Sequence, residues 1–256
     1  MSVPVTLGRA RRVLPETPSA VRVLEADPDL GAGIDPGQRQ LAVAASIAPA
    51  FQFEPGPWRF SPPPDPAGLG ALVLTGMIVI QIDSGPRSHV ELLGEGDVVS
   101  PWVGGGHELA IPSVVNASVV SNLRVALLDR GFSLRTARWP EIHAALIQRV
   151  IVRTRRLSLQ AAINAVTRVD DRLELTLWEL AYRFGRMTRE GIMLDLPITH
   201  TQLADMLAAQ RPSVSTAVGR LQAHGRTVRI DRHRWLMRGE PPRILDSLAR
   251  QSGLRA

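Results

Sequence analysis

Arg211, Ser213, Ser215, Thr216 and Arg220 fall within one short run, RPSVSTAVGR, in which Val214, Val218 and Leu221 recur at i, i+4 and i+7. A helix with that spacing buries the two valines and the leucine and turns Arg211, Ser215, Thr216, Gly219 and Arg220 outward. Guanidinium and hydroxyl groups on an exposed helical face suit hydrogen bonds to base edges and phosphate oxygens. An arginine can bond the O6 and N7 atoms of guanine together, which makes it the commonest specific reader of a base. Arg211 opens this face as an expected DNA contact. Gln210, Ser213, Ser215 and Thr216 are the expected neighbours on bases or phosphates, and Thr201, Arg220, Arg229, Arg232 and Arg234 are expected on phosphates.

Such a face needs elements to hold it in place. Upstream, Thr199 with Gln202 three residues later forms a capping-box pattern that opens a first helix. Leu203, Met206 and Leu207 then lie on one face, Ala204 allows a second helix to pass closely, and Ala208 to Gln210 make the turn. Pro212 suits the first position of the second helix, where a missing N–H costs nothing. Gly225 suits a left-handed closure. Thr227 to Ile230 and Arg234 to Met237, separated by Asp231-Arg232-His233, predict a two-stranded wing. The whole is a winged helix-turn-helix, whose second helix enters a major groove while flanking elements hold the phosphates.

Charge is distributed to match. The chain has 256 residues and a net charge of +6, with arginine supplying all 30 of its basic residues. Through Leu134 there are 9 Arg against 13 Asp and Glu, net −4; from Arg135 there are 21 against 11, net +10. A basic surface of this kind releases counterions from a nucleic-acid backbone and makes affinity fall with salt.

The run from Thr199 to Val214 is similar, without a gap, to the matching stretch of the Crp/Fnr superfamily of bacterial transcription regulators, with Arg211 where that family reads guanine. The resemblance extends from about Val21 to about Met237. It is closest to actinobacterial-type members, on Leu24-Glu25-Ala26-Asp27-Pro28 and Leu93-Gly94-Glu95-Gly96-Asp97. It implies an α+β chain: an N-terminal jelly-roll domain of cyclic-nucleotide-binding type, a long dimerisation helix and the winged motif. Two positions depart from the family pattern. Pro212 stands where a glutamate commonly accepts from cytosine, and Thr216 where a second arginine is common, so the operator need not match the best-known half-site.

The rest of the chain fits that plan. Residues 1–20, with Arg9, Arg11 and Arg12, are expected as a tail, 21–134 as the β-sandwich sensor, 135–169 as the dimerisation helix, 170–240 as the winged domain and 241–256 as a second tail. Asp35-Pro36 is expected to start a short helix through about Ala48, and the proline-rich stretch from Glu54 to Gly70 is loop. Ala71 to Ile82 predicts two strands divided at Thr75-Gly76, with further strands at Val90 to Leu93, Val98-Val99, Leu109 to Ile111, Val114 to Val120 and Arg124 to Leu128. A helix from Trp139-Pro140-Glu141 to about Val166 carries Ile142, Leu146, Val150, Leu157, Ala161 and Ala165 on a stripe too long for one small domain. One face should meet a second copy as in a parallel coiled coil, with Ile142, Leu146, Val150, Leu157 and Ala161 in the interface. Asp170-Asp171 is expected to cap the next helix, in which Leu173, Leu177, Leu180, Ala181 and Phe184 face the core.

Several chemistries are disfavoured. Cys 0 removes disulfides, thiolate metal sites and cysteine-ligated clusters. The six histidines are scattered, and adjacent His107 and Glu108 would point to opposite sides of a strand, so neither metal nor cofactor is expected. Family members that bind cyclic nucleotide use a Gly-Glu pair for the ribose and, about a dozen residues later, an Arg-Ser or Arg-Thr pair for the phosphate. Those positions fall near Ser100-Pro101 and Ser113-Val114; neither pair is present, and Arg87-Ser88 comes too early. Trp102 and the Gly104-Gly105-Gly106 run could line another pocket or serve as core and turn. No stretch is apolar enough to span a membrane and Met1 to Leu30 lacks a signal-peptide core, so a cytoplasmic protein is expected.

The expected function is a homodimeric transcription regulator on a pseudo-palindromic operator in double-stranded DNA, indifferent to cyclic AMP, with RNA polymerase a further candidate partner and the effector unknown. Two alternatives differ in class. A small-molecule receptor whose winged domain contacts another protein would show no salt-dependent DNA affinity. A cupin-like enzyme on the shared jelly roll would need a metal triad or paired carboxylates, which the sequence does not display.

Overall fold

The computed structural model describes residues 18–58, 60, 62, 65, 67–83, 85, 88–99, 114–225 and 227–242. The expectations for Arg87, Ser100-Pro101, Trp102, the glycine run at 104–106, His107, Glu108, the strand at 109–111, Ser113, and most of both tails lie outside these residues. The chain divides into two compact units, Met1–Ser84 with Glu91–Thr154, and Gly85–Val90 with Arg155–Ala256.

In chain order the first elements are β1 (Ser19–Arg22), α1 (Val23–Ala26), α2 (Arg39–Ala45), β2 (Ile47–Phe53), β3 (Gly56–Pro57), β4 (Gly70–Asp83), β5 (Ser88–Leu93), β6 (Val98–Val99), β7 (Val114–Leu128), α3 (Arg130–Thr136) and the long α4 (Pro140–Asn164). The strands form one sheet in the order β1-β2-β7-β4-β5, with β3 on β7 and β6 on β4. β4 and β7 are central, and their side chains alternate between two cores as the pleat requires. Leu72, Leu74, Ala126 and Leu128 join Val23, Leu30, Phe132, Ile142 and Leu146. Their neighbours Ala71, Val73, Val125 and Leu127 join Phe51, Phe60, Ile78 and Leu93 in the other. A strand buried on both faces reads as a continuous apolar run, which is why ALVLTGMIVIQI shows no alternation.

That run is one strand rather than two. Thr75-Gly76 does not end it; the register against β7 shifts there, between Val73, Thr75 and Met77. Gly76 has φ +86, and a Cβ at this position would collide with the Asn122 carbonyl oxygen. The glycine therefore permits a bulge at a close backbone approach. β7 likewise joins the two strands expected at Val114 to Val120 and Arg124 to Leu128. β1 starts inside the expected tail, and the helix expected to reach Ala48 is a 3-10 turn at Pro36–Gln38 followed by α2, with Ala48 already in β2. Ala42 is the buried residue of that helix, while Leu41 is 54% exposed.

The second unit contains α5 (Val169–Phe184), β8 (Arg186–Thr188), β9 (Gly191–Asp195), α6 (His200–Met206), α7 (Arg211–Ala223), β10 (Thr227–Arg229) and β11 (Arg234–Met237). β10 and β11 pair antiparallel, Val228 opposite Leu236, as the wing requires. The sheet continues to β9 and β8, in the order β10-β11-β9-β8, two strands not anticipated from the sequence. Leu173, Leu177, Leu203, Leu207, Val214, Ala217, Trp235 and Leu236 are each at most 2% exposed. Asp170 and Asp171 lie in the first turn of α5, not ahead of it; the N-cap is Arg168, which makes no side-chain cap. The acids there favour the helix through its dipole. No described helix is long and apolar enough to cross a membrane.

Candidate nucleic-acid interface

α6 opens as the capping pattern predicts. The Gln202 N–H donates to Thr199 Oγ1 at 3.1 Å, and the Thr199 N–H donates to Gln202 Oε1 at 2.8 Å. α6 ends in a tight turn at Ala208, the single described non-glycine residue at positive φ, +48. The carbonyls this exposes are satisfied from other helices, as a buried helix end demands. Met206 O accepts from Gln160 Nε2 and Asn164 Nδ2, both at 3.2 Å. Arg172 Nη1 donates to Leu207 O at 2.9 Å and Ala208 O at 3.4 Å.

α7 then begins on Arg211, with Pro212 second rather than first. Its N-cap, Gln210, is extended and makes no side-chain capping bond. Val214, Ala217, Val218 and Leu221 are buried. Gln210, Arg211, Ser213, Ser215, Thr216, Gly219 and Arg220 are exposed, and Thr201 on α6 is exposed as well. Thr216 Oγ1 donates to Pro212 O at 3.2 Å, a local bond that leaves the hydroxyl oxygen available as an acceptor. Arg211 makes no side-chain hydrogen bond or ion pair among the described residues.

The remaining arginines differ sharply from one another. Arg229 is held within the wing: Nε donates to Asp231 O at 3.0 Å, Nη2 to Arg232 O at 2.9 Å, and Nη1 lies 2.6 Å from His200 Nε2. Its guanidinium also lies 5.4 Å from the Trp235 ring centroid. Each of its three nitrogens therefore has a partner, so Arg229 braces the wing, and the phosphate contact expected of it would fall to the second N–H of each terminal nitrogen. Arg234 Nε bonds Asp231 Oδ2 at 2.5 Å. The His233 backbone N–H first, then the Arg234 side chain and its backbone N–H, pull the exposed Asp231 carboxyl down to about 2. Arg220 Nη1 pairs with Asp170 Oδ2 at 3.2 Å. Arg232 is exposed, and its side chain makes no hydrogen bond among the described residues.

Two polar clefts open on this unit. One, of ≈ 320 Å³, is lined by Thr199, His200, Thr201, Arg211, Arg229 and Arg232. The other, of ≈ 410 Å³, is lined by Arg168, Val169, Asp170, Ser213, Thr216 and Arg220. Burial, then the charges of Arg229 and Arg211, hold His200 below its ordinary pKa, so it faces the first cleft as a neutral imidazole at neutral pH. His200, Arg168 and Asp170 are not among the site residues expected from the sequence. Nothing local in the sequence marks them, because they reach the interface from other elements.

The long helix needs a correction. Ile142 is 0% and Leu146 4% exposed, both within the core beneath β4 and β7 of their own chain, so neither is free to meet a second copy. The outward apolar positions are Ile147 at 58%, Val150 at 47% and Leu157 at 37% exposure. Thr154 and Ala161 are exposed too. Ile147, Val150, Thr154, Leu157 and Ala161 follow one another at alternating spacings of three and four, the a/d pattern of a coiled-coil seam. Among the described residues no three His, Cys, Asp or Glu side chains gather as a metal site would need.

Together these features define a class: a winged helix-turn-helix following an antiparallel β domain and a long helix. The family model of the Crp-like helix-turn-helix domain matches residues 171–238. Similar solved structures include a CooA mutant from Carboxydothermus hydrogenoformans, at 16% identity and TM-score 0.59, covering 89% of this chain and 95% of that one. A cyclic nucleotide-binding domain containing protein from Listeria monocytogenes is similar at 16% identity and TM-score 0.59, over 73% and 88% of the two chains. A CRP-family transcriptional regulator from Thermus thermophilus is similar at 18% identity and TM-score 0.54, over 79% and 96%. No curated protein matches the chain in sequence. Residues 171–238 thus form a Crp-like helix-turn-helix domain, and the chain shares its fold with these solved structures.

Proposed function

We propose that the chain is a sequence-specific DNA-binding transcription regulator that reads a pseudo-palindromic operator as a homodimer. The observation that carries this reading is the outward face of α7, where an exposed Arg211 with no partner among the described residues opens a helix bearing exposed Ser213, Ser215 and Thr216. Arg211 supplies a bidentate donor to guanine. Gln210, Ser213, Ser215 and Thr216 extend the contact to neighbouring bases or phosphates, and Thr201, Arg220 and Arg232 hold phosphates on either side. Arg229 and Arg234 stiffen the wing around Asp231 and are further candidates for phosphate contact.

Dimerisation follows from the seam on α4. Two copies related by a twofold axis would present their recognition helices about 34 Å apart, one turn of DNA, which is what a pseudo-palindrome offers. Val150, Leu157 and Ala161 remain interface residues in this reading, with Ile147 and Thr154 added. In this reading the protein is cytoplasmic and carries out no enzymatic step, and RNA polymerase is a further candidate partner. The positions counted for the two pairs that hold a cyclic nucleotide carry Ser100-Pro101 and Ser113-Val114 instead, which argues against cyclic AMP as the effector.

Selection of bound sequences from random duplex DNA at two salt concentrations tests the proposal. Recovery of a pseudo-palindrome, with affinity falling steeply as salt rises and unchanged by cyclic AMP, is the expected result. Binding without a motif, or without salt dependence, would favour a winged domain that contacts another protein.

A further inference from the structure

We propose that Asp170 is an internal stand-in for a DNA phosphate: it holds Arg220 and Arg168 until the backbone displaces it, and so sets the affinity and salt dependence of the interface. This rests on the DNA-binding reading of α7. A single oxygen, Asp170 Oδ2, accepts from Arg168 Nη2 and from Arg220 Nη1, each at 3.2 Å. The Asp170 side chain is 13% exposed while those of Arg168 and Arg220 are 69% and 61% exposed. The acid therefore sits beneath two guanidinium groups that face solvent.

The same three residues line the ≈ 410 Å³ cleft with Ser213 and Thr216, whose hydroxyls lie on the side of α7 assigned to DNA. A phosphate oxygen entering this cleft would find two cations and two hydroxyl groups, and one carboxylate already occupying the cations. Burial works to raise the Asp170 carboxyl, but hydrogen bonds from Arg168 and Arg220 outweigh it and keep the group ionised. DNA must then exchange one anion for another at this point, and gains less than two free arginines would give. Because the exchange involves phosphate and not bases, its cost is the same on any sequence. Asp170 is thus a positioning residue that acts through Arg220 and Arg168.

The test is a double-mutant cycle read by fluorescence anisotropy on the selected operator and on a scrambled duplex, across a salt series. Asp170→Asn is expected to bind both duplexes about 3- to 10-fold tighter near physiological salt, with a log–log salt slope steeper by about 0.9 for each guanidinium freed. Asp170→Ser gives the same gain by a different side chain, and circular dichroism confirms that each variant is folded. In an Arg220→Gln background the gain from Asp170→Asn shrinks to what Arg168 can supply. A gain of undiminished size in that background would mean simple relief of repulsion and would overturn the proposal, as would no gain in either variant. Wild-type protein that binds no duplex at any salt would defeat the DNA reading itself, and this inference with it. Wild-type binding without the Asp170 effect defeats the inference alone.

Discussion

Arg211 and Arg229 both lie in the arginine-rich second half, yet their surroundings differ. Arg211 is exposed at the start of α7 with no partner among the described residues, whereas Arg229 is held by Asp231, Arg232, His200 and the Trp235 ring. Substituting Arg211→Ala is therefore expected to cost about 1–3 kcal/mol of discrimination at one guanine of each half-site. Competition between the operator and single-base variants measures this; an unchanged preference would remove Arg211 from the readout. His200 gives a pH signature. Burial first, then Arg229 and Arg211, place its folded pKa below 6.5. Between that depressed value and 6.5 the unfolded chain binds more protons than the folded one, so stability rises with pH across the window and is lost as pH falls through it. Wild-type protein should lose more melting temperature than His200→Gln when moved from about pH 7 to about pH 5. Parallel profiles for the two proteins would show that the imidazole does not titrate as described.

At the scale of elements, the turn between α6 and α7 fixes how the recognition helix is presented. Its left-handed residue is Ala208, at φ +48, where a side chain costs energy that glycine would not. Ala208→Gly is expected to stabilise the protein by about 1 kcal/mol, read from urea unfolding, without altering sequence preference. The carbonyls of Met206, Leu207 and Ala208 are held by Gln160 and Asn164 from α4 and by Arg172 from α5. The last turns of the long helix are thus bonded directly to the turn that aims α7. α4 stops at Asn164, short of the Val166 that periodicity predicts. The capping box, by contrast, needed only the four residues Thr199 to Gln202, because both of its bonds are local.

For the whole molecule, function in this reading depends on a second copy. Leu157→Glu and Val150→Glu each place a charge in the proposed seam, and either is expected to shift the protein from dimer to monomer in sedimentation equilibrium. Operator affinity should then fall by roughly 10²-fold or more, because the two half-sites no longer bind as one. A variant that remains dimeric would move the interface away from α4. The amino-acid sequence by itself determined what depends on neighbours along the chain: the capping box, the spacing of Val214, Val218 and Leu221, the Asp231 turn of the wing, and the concentration of arginine in the second half. Tertiary structure alone decided which face of α4 is free, because Ile142 and Leu146 share a periodicity with Val150 and Leu157 but are covered by β-domain residues over a hundred positions upstream, such as Val23 and Leu30. It also decided which arginines are paired within the protein. Asp170 and Arg220 are fifty residues apart, and only folding brings the carboxylate beneath the guanidinium. Local patterns reveal helices and their faces; the partner that covers a face or neutralises a charge comes from elsewhere in the chain.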